Sequence, residues 1–407
     1  MQPRCRSCGG DRLATILSLG DMPLANALLR LEQLHDLEPT YPLVLAFCSE
    51  CTLVQITETV PPEKLFREYL YFSSFSDTLL RHAGDLVTRL IDTRRLNAGH
   101  LVVELASNDG YLLQYYQKRG IAVLGVEPAR NIAEVARERG IPSVSEFFGE
   151  ELAIALAGQY GCADVIHANN VLAHVADLNG FVKGVAVLLK PQGIAVVEVP
   201  YVKDLIDHVE FDTIYHEHLC YFSLTALNAL FRRNGLRVQD VERVPIHGGS
   251  LRLFVVRAGT QEPTQVVAEL LRNEHDWGID RLAFYADFAH SVQNLKASLS
   301  DLLLQLKRER KRVVGYGAAA KGTTLLNYFR IGPETLDFVV DRSPHKQGCY
   351  TPGTHLPIFS PDKLMHEKPD YVLLLAWNFA NEILEQQTLF RQQGGRFIIP
   401  IPELKVV

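Results

Sequence analysis

The 407-residue sequence has no surplus of basic charge: 41 Lys and Arg stand against 47 Asp and Glu. Duplex nucleic acid, bound mostly by neutralising phosphates, is therefore not an expected partner. Long apolar runs are absent too. The longest, such as 371–376 and 101–103, fall far short of the roughly 20 residues that span a bilayer, so no membrane association is expected. The first residues, Met1-Gln-Pro-Arg-Cys5, hold no apolar stretch of the kind that marks a secreted chain, and a cytoplasmic location is the default. Cysteine is scarce after residue 51, where Cys162, Cys220 and Cys349 stand singly. No internal repeat is evident. The length favours two or three domains over one core.

Four cysteines crowd the first 51 residues as Cys5-x-x-Cys8 and Cys48-x-x-Cys51. In a reducing compartment these read as metal ligands, since a two-residue gap lets both thiolates face one tetrahedral zinc ion at roughly 2.3 Å. Gly9-Gly10 can take the torsions that a knuckle turn needs. Four thiolates leave no open position, so the zinc is expected to be structural. The 39 residues between the pairs exceed a common ribbon gap and imply an insertion. With Pro23, Pro39, Pro42 and Pro61-Pro62, the segment 1–70 reads as an irregular zinc-binding module.

Leu79, Leu80, Ala83, Leu86, Val87 and Leu90 recur at helical spacing and predict an amphipathic helix within 66–96. Strand-like runs at 101–105, 121–126, 164–168 and 194–199 then alternate with helical ones at 111–118, 129–139 and 178–189. That alternation predicts a mostly parallel, Rossmann-like α/β sheet. Runs at 236–242 and 251–257, joined through Pro245 and Gly248-Gly249, fit an antiparallel hairpin added to it. Residues 262–310 read as connecting helices. A second Rossmann-like unit follows, with strands at 312–316, 336–341, 371–376 and 396–399 and helices at 321–329 and 379–387. The expected division is 1–70, 71–260 and 261–407.

The first parallel strand runs into the small-residue turn Glu104-Leu-Ala-Ser107-Asn108-Asp109-Gly110, and the second ends in Glu127. Such a turn lets backbone N–H groups approach a ligand, and a carboxylate about twenty residues on can accept from a ribose diol. It is not the strict G-x-G-x-x-G fingerprint. Glu104 and Glu127 would repel phosphate, so a cationic, phosphate-free nucleoside fits, and S-adenosylmethionine is one. The turn resembles that of class I methyltransferases, in the form carried by a subgroup with an N-terminal zinc module. Asp164-Val-Ile-His-Ala-Asn169-Asn170-Val-Leu-Ala-His174 is similar to their fourth-strand motif, which implies Asn169, Asn170 and His174 near cofactor or substrate.

Tyr215-His216-Glu217-His218 gathers four proton-handling side chains, of which at most two or three can face one substrate. Cys220 occupies the position where a metalloprotease helix would need its second histidine. The run Asp212-Thr-Ile-Tyr-His-Glu-His-Leu-x-Tyr-Phe-Ser223 resembles the signature of nucleotide-sugar C-methyltransferases, and that likeness extends over essentially the full chain. It implies methylation at C3 of a 4-keto deoxysugar on a nucleoside diphosphate, usually dTDP, with Tyr215, Glu217, His218 and His174 as active-site residues. Enolate formation needs a base and a donor to the oxyanion. His218 is expected to be the base, oriented by Glu217, with Tyr215 or His174 as the donor. Tyr69 and Tyr71 are candidates to close the pocket.

Val313-Val-Gly-Tyr316-Gly-Ala-Ala-Ala-Lys321-Gly322 follows a strand and opens a helix, and Asp341 ends the next strand. Gly322-Thr323 excludes a Walker motif. The resemblance assigns this stretch to the family's C-terminal domain, where Lys321 and the glycine turn can hold a diphosphate and Tyr316 or Phe379 can meet the base. Ala319 stands where the family often has proline. The expected assembly is a monomer or weak dimer. An O-methyltransferase, an NAD-dependent sugar oxidoreductase and a zinc-ribbon binding protein are the rival readings.

Overall fold

A computed structural model describes residues 3–67, 72–246 and 248–407. Tyr69 and Tyr71 lie outside the described residues. Three sheets organise the chain, and among the described residues no helix is long and apolar enough to cross a membrane.

The N-terminal segment is more regular than expected. Leu13–Pro23, Thr40–Cys48 and Val54–Ile56 form an antiparallel sheet, joined on its far side by Cys220–Tyr221 from much later in the chain. The prolines obscure it: Pro23 and Pro42 both pair within the ladder, where the register shifts between Ser18 and Asp21. Such bulges tolerate proline because a ladder hydrogen bond is already missing there. The long insertion between the cysteine pairs is thus about half strand, and its loop reaches the C-terminal unit. The Leu29 backbone pairs with Tyr350, and the Gly353 N–H donates to Glu38 at 2.8 Å.

The central sheet has the order Leu236–Val244, Ser250–Arg257, Leu189–Pro200, Ala163–Asn169, Leu101–Leu105, Ala122–Val126, Ser143–Val144. The last five are parallel, and the first two form the antiparallel hairpin. The parallel strands are rich in apolar residues because both faces are covered. Helix Asp77–Arg94 starts at Ser76, whose Oγ accepts from the Leu79 N–H, and buries Leu79, Ala83, Leu86, Val87 and Leu90 against this sheet. Each buried Leu or Val there is worth about 2 kcal/mol. Two further helices, Glu150–Tyr160 and Leu224–Arg233, pack on the same unit and are additional to those expected.

Helices Gln265–Trp277 and Phe288–Arg308 connect to the third sheet, with the order Ile358–Phe359, Val339–Val340, Val313–Tyr316, Tyr371–Leu374, Arg396–Ile399, Lys405–Val406. Its first five strands are parallel. Both large sheets reverse strand order beside their first strand, at Leu101–Leu105 and Val313–Tyr316 respectively. Open α/β sheets bind ligands at such switch points, beyond the carboxyl ends of the strands.

Candidate active site

The four cysteine sulfurs converge. Cys5 and Cys51 lie 3.4 Å apart and Cys8 and Cys48 3.6 Å, with all four ligand atoms within 4.8 Å of one another. A tetrahedron with bonds near 2.3 Å has edges of about 3.8 Å, so the set fits zinc. Both knuckles close alike: the Gly9 N–H donates to the Cys5 carbonyl and the Thr52 N–H to the Cys48 carbonyl, each at 2.9 Å, with φ of +77° at Gly9 and +64° at Thr52.

The turn after Leu101–Leu105 is built from left-handed residues, Ala106 (φ +54°), Asn108 (+48°) and Gly110 (+79°). A Cβ on Gly110 would lie 2.7 Å from Ile141 Cγ1. Glu127 holds the turn by accepting the N–H groups of Asn108 at 2.9 Å and Ala129 at 2.8 Å, one on each oxygen. Burial raises its pKa to about 7. Glu104 is fully buried beneath the turn, and neither of its oxygens has a hydrogen-bond partner among the described residues. Desolvation, then the charges of Glu127 and Asp109, hold its pKa well above the usual carboxylate range. Ser107 Oγ, Asn169 Oδ1 and Asn170 Oδ1 are likewise buried without partners there. Buried polar atoms are rarely left so, and this set of acceptors with two carboxyls suits a cationic, hydroxyl-rich ligand. Asp109 faces elsewhere, accepting from Ser74 and, at 2.9 Å, from Arg139. Asn108 Oδ1 accepts the Ser73 N–H at 2.8 Å, which ties the short helical turn Ser73–Phe75 over the site.

One cleft of about 730 Å³ spans the molecule. Its lining joins Asn108, Glu127, Asn169 and Asn170 of the central sheet, His174, Tyr215 and His218, and Tyr316, Lys321, Asp341 and Phe379 of the C-terminal unit. Glu104, Ser107, Asp109 and Gly110 support the wall from behind, and Glu217 is not among the lining residues.

Residues 215–218 form a tight turn, closed by the His218 N–H donating to the Tyr215 carbonyl at 2.9 Å. Positions three apart therefore share a face, and the Tyr215 and His218 rings stand 4.1 Å apart between centroids. His216 and Glu217 point away, His216 donating to the Pro42 carbonyl and Glu217 Oε1 accepting from Asn26 Nδ2 at 2.7 Å. The expected orienting partner of His218 is thus replaced. Its Nδ1 lies 2.9 Å from the Thr213 carbonyl, which can only accept, so the proton sits on Nδ1. Nε2 is then the basic nitrogen, and it accepts the Tyr215 hydroxyl at 2.9 Å. His174 packs edge-on against His218 at 4.8 Å, and burial lowers its pKa to about 4. Its Nδ1–H donates to the Glu217 carbonyl at 2.7 Å. A neutral ring with that proton placed has an acceptor, not a donor, at Nε2, whereas the Tyr215 hydroxyl can donate.

At the far end, Asp341 accepts the N–H groups of Ala318 and Ser343, both at 2.8 Å, and shapes the glycine turn. Arg342 and Lys346 line the outer cleft without any sequence signal to mark them, since a loop of mixed charge carries no motif. Asn26 and Glu210 are equally unmarked; they belong to no spacing pattern and are joined only by the fold.

A Rossmann-like sheet with a turn of buried, unpartnered acceptors at its switch point and a Tyr215–His218 pair in the same cleft fits a SAM-dependent methyltransferase with a four-cysteine zinc module. Family models agree: a zinc-binding domain matches residues 5–66, a methyltransferase domain 75–241 and a C-methyltransferase C-terminal domain 245–402. The chain is 38% identical over 404 residues to C-methyltransferase NovU of Streptomyces niveus, covering 99% of this chain and 96% of that protein. It belongs to that C-methyltransferase family. The ubiquinone biosynthesis O-methyltransferase of Chelativorans sp. (strain BNC1) is 33% identical over 100 residues, 24% of this chain and 40% of its own. Among solved structures, magnesium protoporphyrin IX methyltransferase of Synechocystis PCC 6803 aligns with 44% of this chain and 79% of its own, at 14% identity and a TM-score of 0.34.

Proposed function

We propose that the enzyme methylates C3 of a 4-keto deoxysugar carried on a nucleoside diphosphate, most simply dTDP, through an enolate. The observation that carries this reading is the continuity of the cleft from the donor turn, past Tyr215 and His218, to the second switch point. Only a two-part substrate uses such a length: the sugar beside the donor and the nucleotide against the C-terminal sheet. Tyr316 and Phe379 flank the base, while Arg342 and Lys346 supply the cations that a diphosphate requires. S-adenosylmethionine, bound at Glu104–Gly110 with Glu127, Asn169 and Asn170, supplies the electrophilic methyl.

His218 Nε2 takes the proton from C3. The Tyr215 hydroxyl, which Nε2 accepts in the resting site, turns to the ketone oxygen and holds the developing enolate. Transfer to the carbon then needs only in-line placement. Glu217 acts from behind, fixing the turn through Asn26 and, by its carbonyl, His174. The zinc is structural, anchoring the sheet against which this turn lies, and the site is built within one chain, as a cytoplasmic monomer or weak dimer requires. Incubation with S-adenosylmethionine and a panel of nucleotide-linked 4-keto sugars, followed by mass spectrometry, should show a gain of one methylene unit. Incorporation into oxygen, or none with any keto sugar, would remove the reading.

A further inference from the structure

Lys321 is set apart from the other cations of the cleft. It leaves the first turn of the helix Ala320–Phe329, and its Nζ is shut off from solvent with no hydrogen-bond partner among the described residues. It lies 4.3 Å from the centre of the Trp377 ring, and its charged neighbours are Asp212 and Glu210. Asp212 is fully buried and accepts the Trp377 indole N–H at 2.7 Å. Burial raises the Asp212 pKa to about 7, and Lys321 is the largest influence opposing that rise.

Two carboxyls against one ammonium make poor surroundings for a diphosphate, whose like charge Glu210 and Asp212 would meet at close range. What the cluster does touch is the proton-transfer turn. Asp212 precedes Thr213, the residue whose carbonyl fixes the His218 tautomer. The same helix places Thr324 Oγ1 at 3.4 Å from the Ile214 carbonyl and stacks Phe329 on Phe211 at 4.9 Å. The C-terminal unit thus grips residues 211–214 from both sides of Asp212, with Lys321 and Trp377 at the centre.

We propose that Lys321 is a positioning residue for His218, acting through Asp212 and Thr213, and not a ligand of the substrate diphosphate. This rests on His218 being the proton acceptor. Replacing the ammonium removes the charge that most offsets the burial of Asp212, so the 211–214 segment shifts and the Thr213 carbonyl moves with it.

The test uses the full-length zinc-loaded enzyme and the variants Lys321→Met, Lys321→Arg, Asp212→Asn and the Met/Asn double. Calorimetry with dTDP and with S-adenosylhomocysteine should give affinities within about twofold of wild type for Lys321→Met, the result required if Lys321 acts on the turn and not on either ligand. Its kcat should fall on the order of 10- to 100-fold with KM nearly unchanged, the scale expected when a reacting group is misplaced by a fraction of an ångström. Lys321→Arg should recover part of the loss. The double variant should be no slower than Lys321→Met, since residues acting as one unit do not add. A tenfold or greater loss of dTDP affinity in Lys321→Met would make it a phosphate ligand and overturn the proposal. So would an unchanged kcat, or additive effects. If Lys321→Met does not fold, Lys321→Arg and the charge-balanced double variant carry the same comparison. Failure of the wild type to methylate any keto sugar would instead strike the proposed reaction, and the dTDP measurement stands apart from it.

Discussion

Replacing His218 by alanine removes the basic nitrogen and the ring that both Tyr215 and Thr213 contact. General-base catalysis typically contributes 10²- to 10⁴-fold, so the variant should lose about 3–5 kcal/mol of transition-state stabilisation. The donor turn is untouched, since its contacts run to Glu127 and Ser73 and not to residue 218. Calorimetric affinity for S-adenosylmethionine should therefore stay within about twofold of wild type, as for sites that share no partner. The decisive assay needs no methyl donor: the keto sugar nucleotide is held with enzyme in deuterated water, and exchange at the carbon next to the ketone is followed by NMR. Wild type should exchange readily and His218→Ala hardly at all. Tyr215→Phe separates the two roles. An oxyanion donor is worth about 10²- to 10³-fold, so this variant should slow exchange and methyl transfer together while keeping a base. Exchange at the wild-type rate in His218→Ala would refute the assignment. A Tyr215→Phe loss equal to that of His218→Ala, with none added in the double variant, would move the base to the phenol.

Glu127 gives a pH dependence of opposite sign for binding and for stability. Its pKa is raised from 4.5 to about 7, so the folded apoenzyme holds a proton that the unfolded chain has lost between those values. Apoenzyme stability should rise as pH falls from 8 to 5, by up to about 3 kcal/mol from this group, while affinity for S-adenosylmethionine drops as the carboxylate is neutralised. Thermal melts and calorimetry over that range check both, and Glu127→Gln should flatten the two curves. Chelating the zinc, or Cys48→Ser, should lower Tm and kcat while donor binding persists, because Val54–Ile56 pairs with Cys220–Tyr221 just beyond the catalytic turn. Gly110→Ala should abolish donor binding and cost at least about 2 kcal/mol, having both a positive φ and a Cβ 2.7 Å from Ile141 to accommodate; denaturant melts and calorimetry decide. Asn26→Ala strips the buried Glu217 carboxylate of a donor and should cost about 1–3 kcal/mol in the same melts.

The elements legible in the sequence are those whose pattern is local. Strands such as Leu101–Leu105 and Val313–Tyr316 are mostly apolar runs closed by small-residue turns, and helix Asp77–Arg94 shows its buried stripe directly. The paired Cys-x-x-Cys spacings announce a metal, and the Tyr-His-Glu-His run announces proton chemistry. What cannot be read is what distant segments do to one another. Proline at positions 23 and 42 masks a sheet whose last strand is supplied by residues 220–221. Four adjacent polar side chains look equivalent until the turn at 215–218 sends two into the cleft and two away from it. Glu217 is the natural orienter of its neighbour by sequence, yet a backbone carbonyl five residues before His218 takes that role, and carbonyls leave no trace in a residue alphabet.

On the proposed function, the three-unit construction follows from the chemistry of the two ligands. A sulfonium cofactor wants carboxyls and neutral acceptors, as at Glu104 and Glu127, whereas a nucleoside diphosphate wants cations, as at Arg342 and Lys346. One sheet end offering both would pair its own charges and bind neither ligand well. Placing the donor at one switch point and the nucleotide at another leaves the reacting carbon between two bodies that must agree to within a fraction of an ångström. The turn at 211–218 resolves this by belonging to all three. Its backbone comes from the central unit, Asn26 and the strand at Val54–Ile56 brace it from the zinc module, and Trp377, Thr324 and Phe329 brace it from the C-terminal one. A base held this way stays fixed relative to both ligands even though it touches neither ligand's binding sheet. Disturbing either flanking unit should therefore appear in kcat before it appears in the affinity of the ligand that the other unit holds.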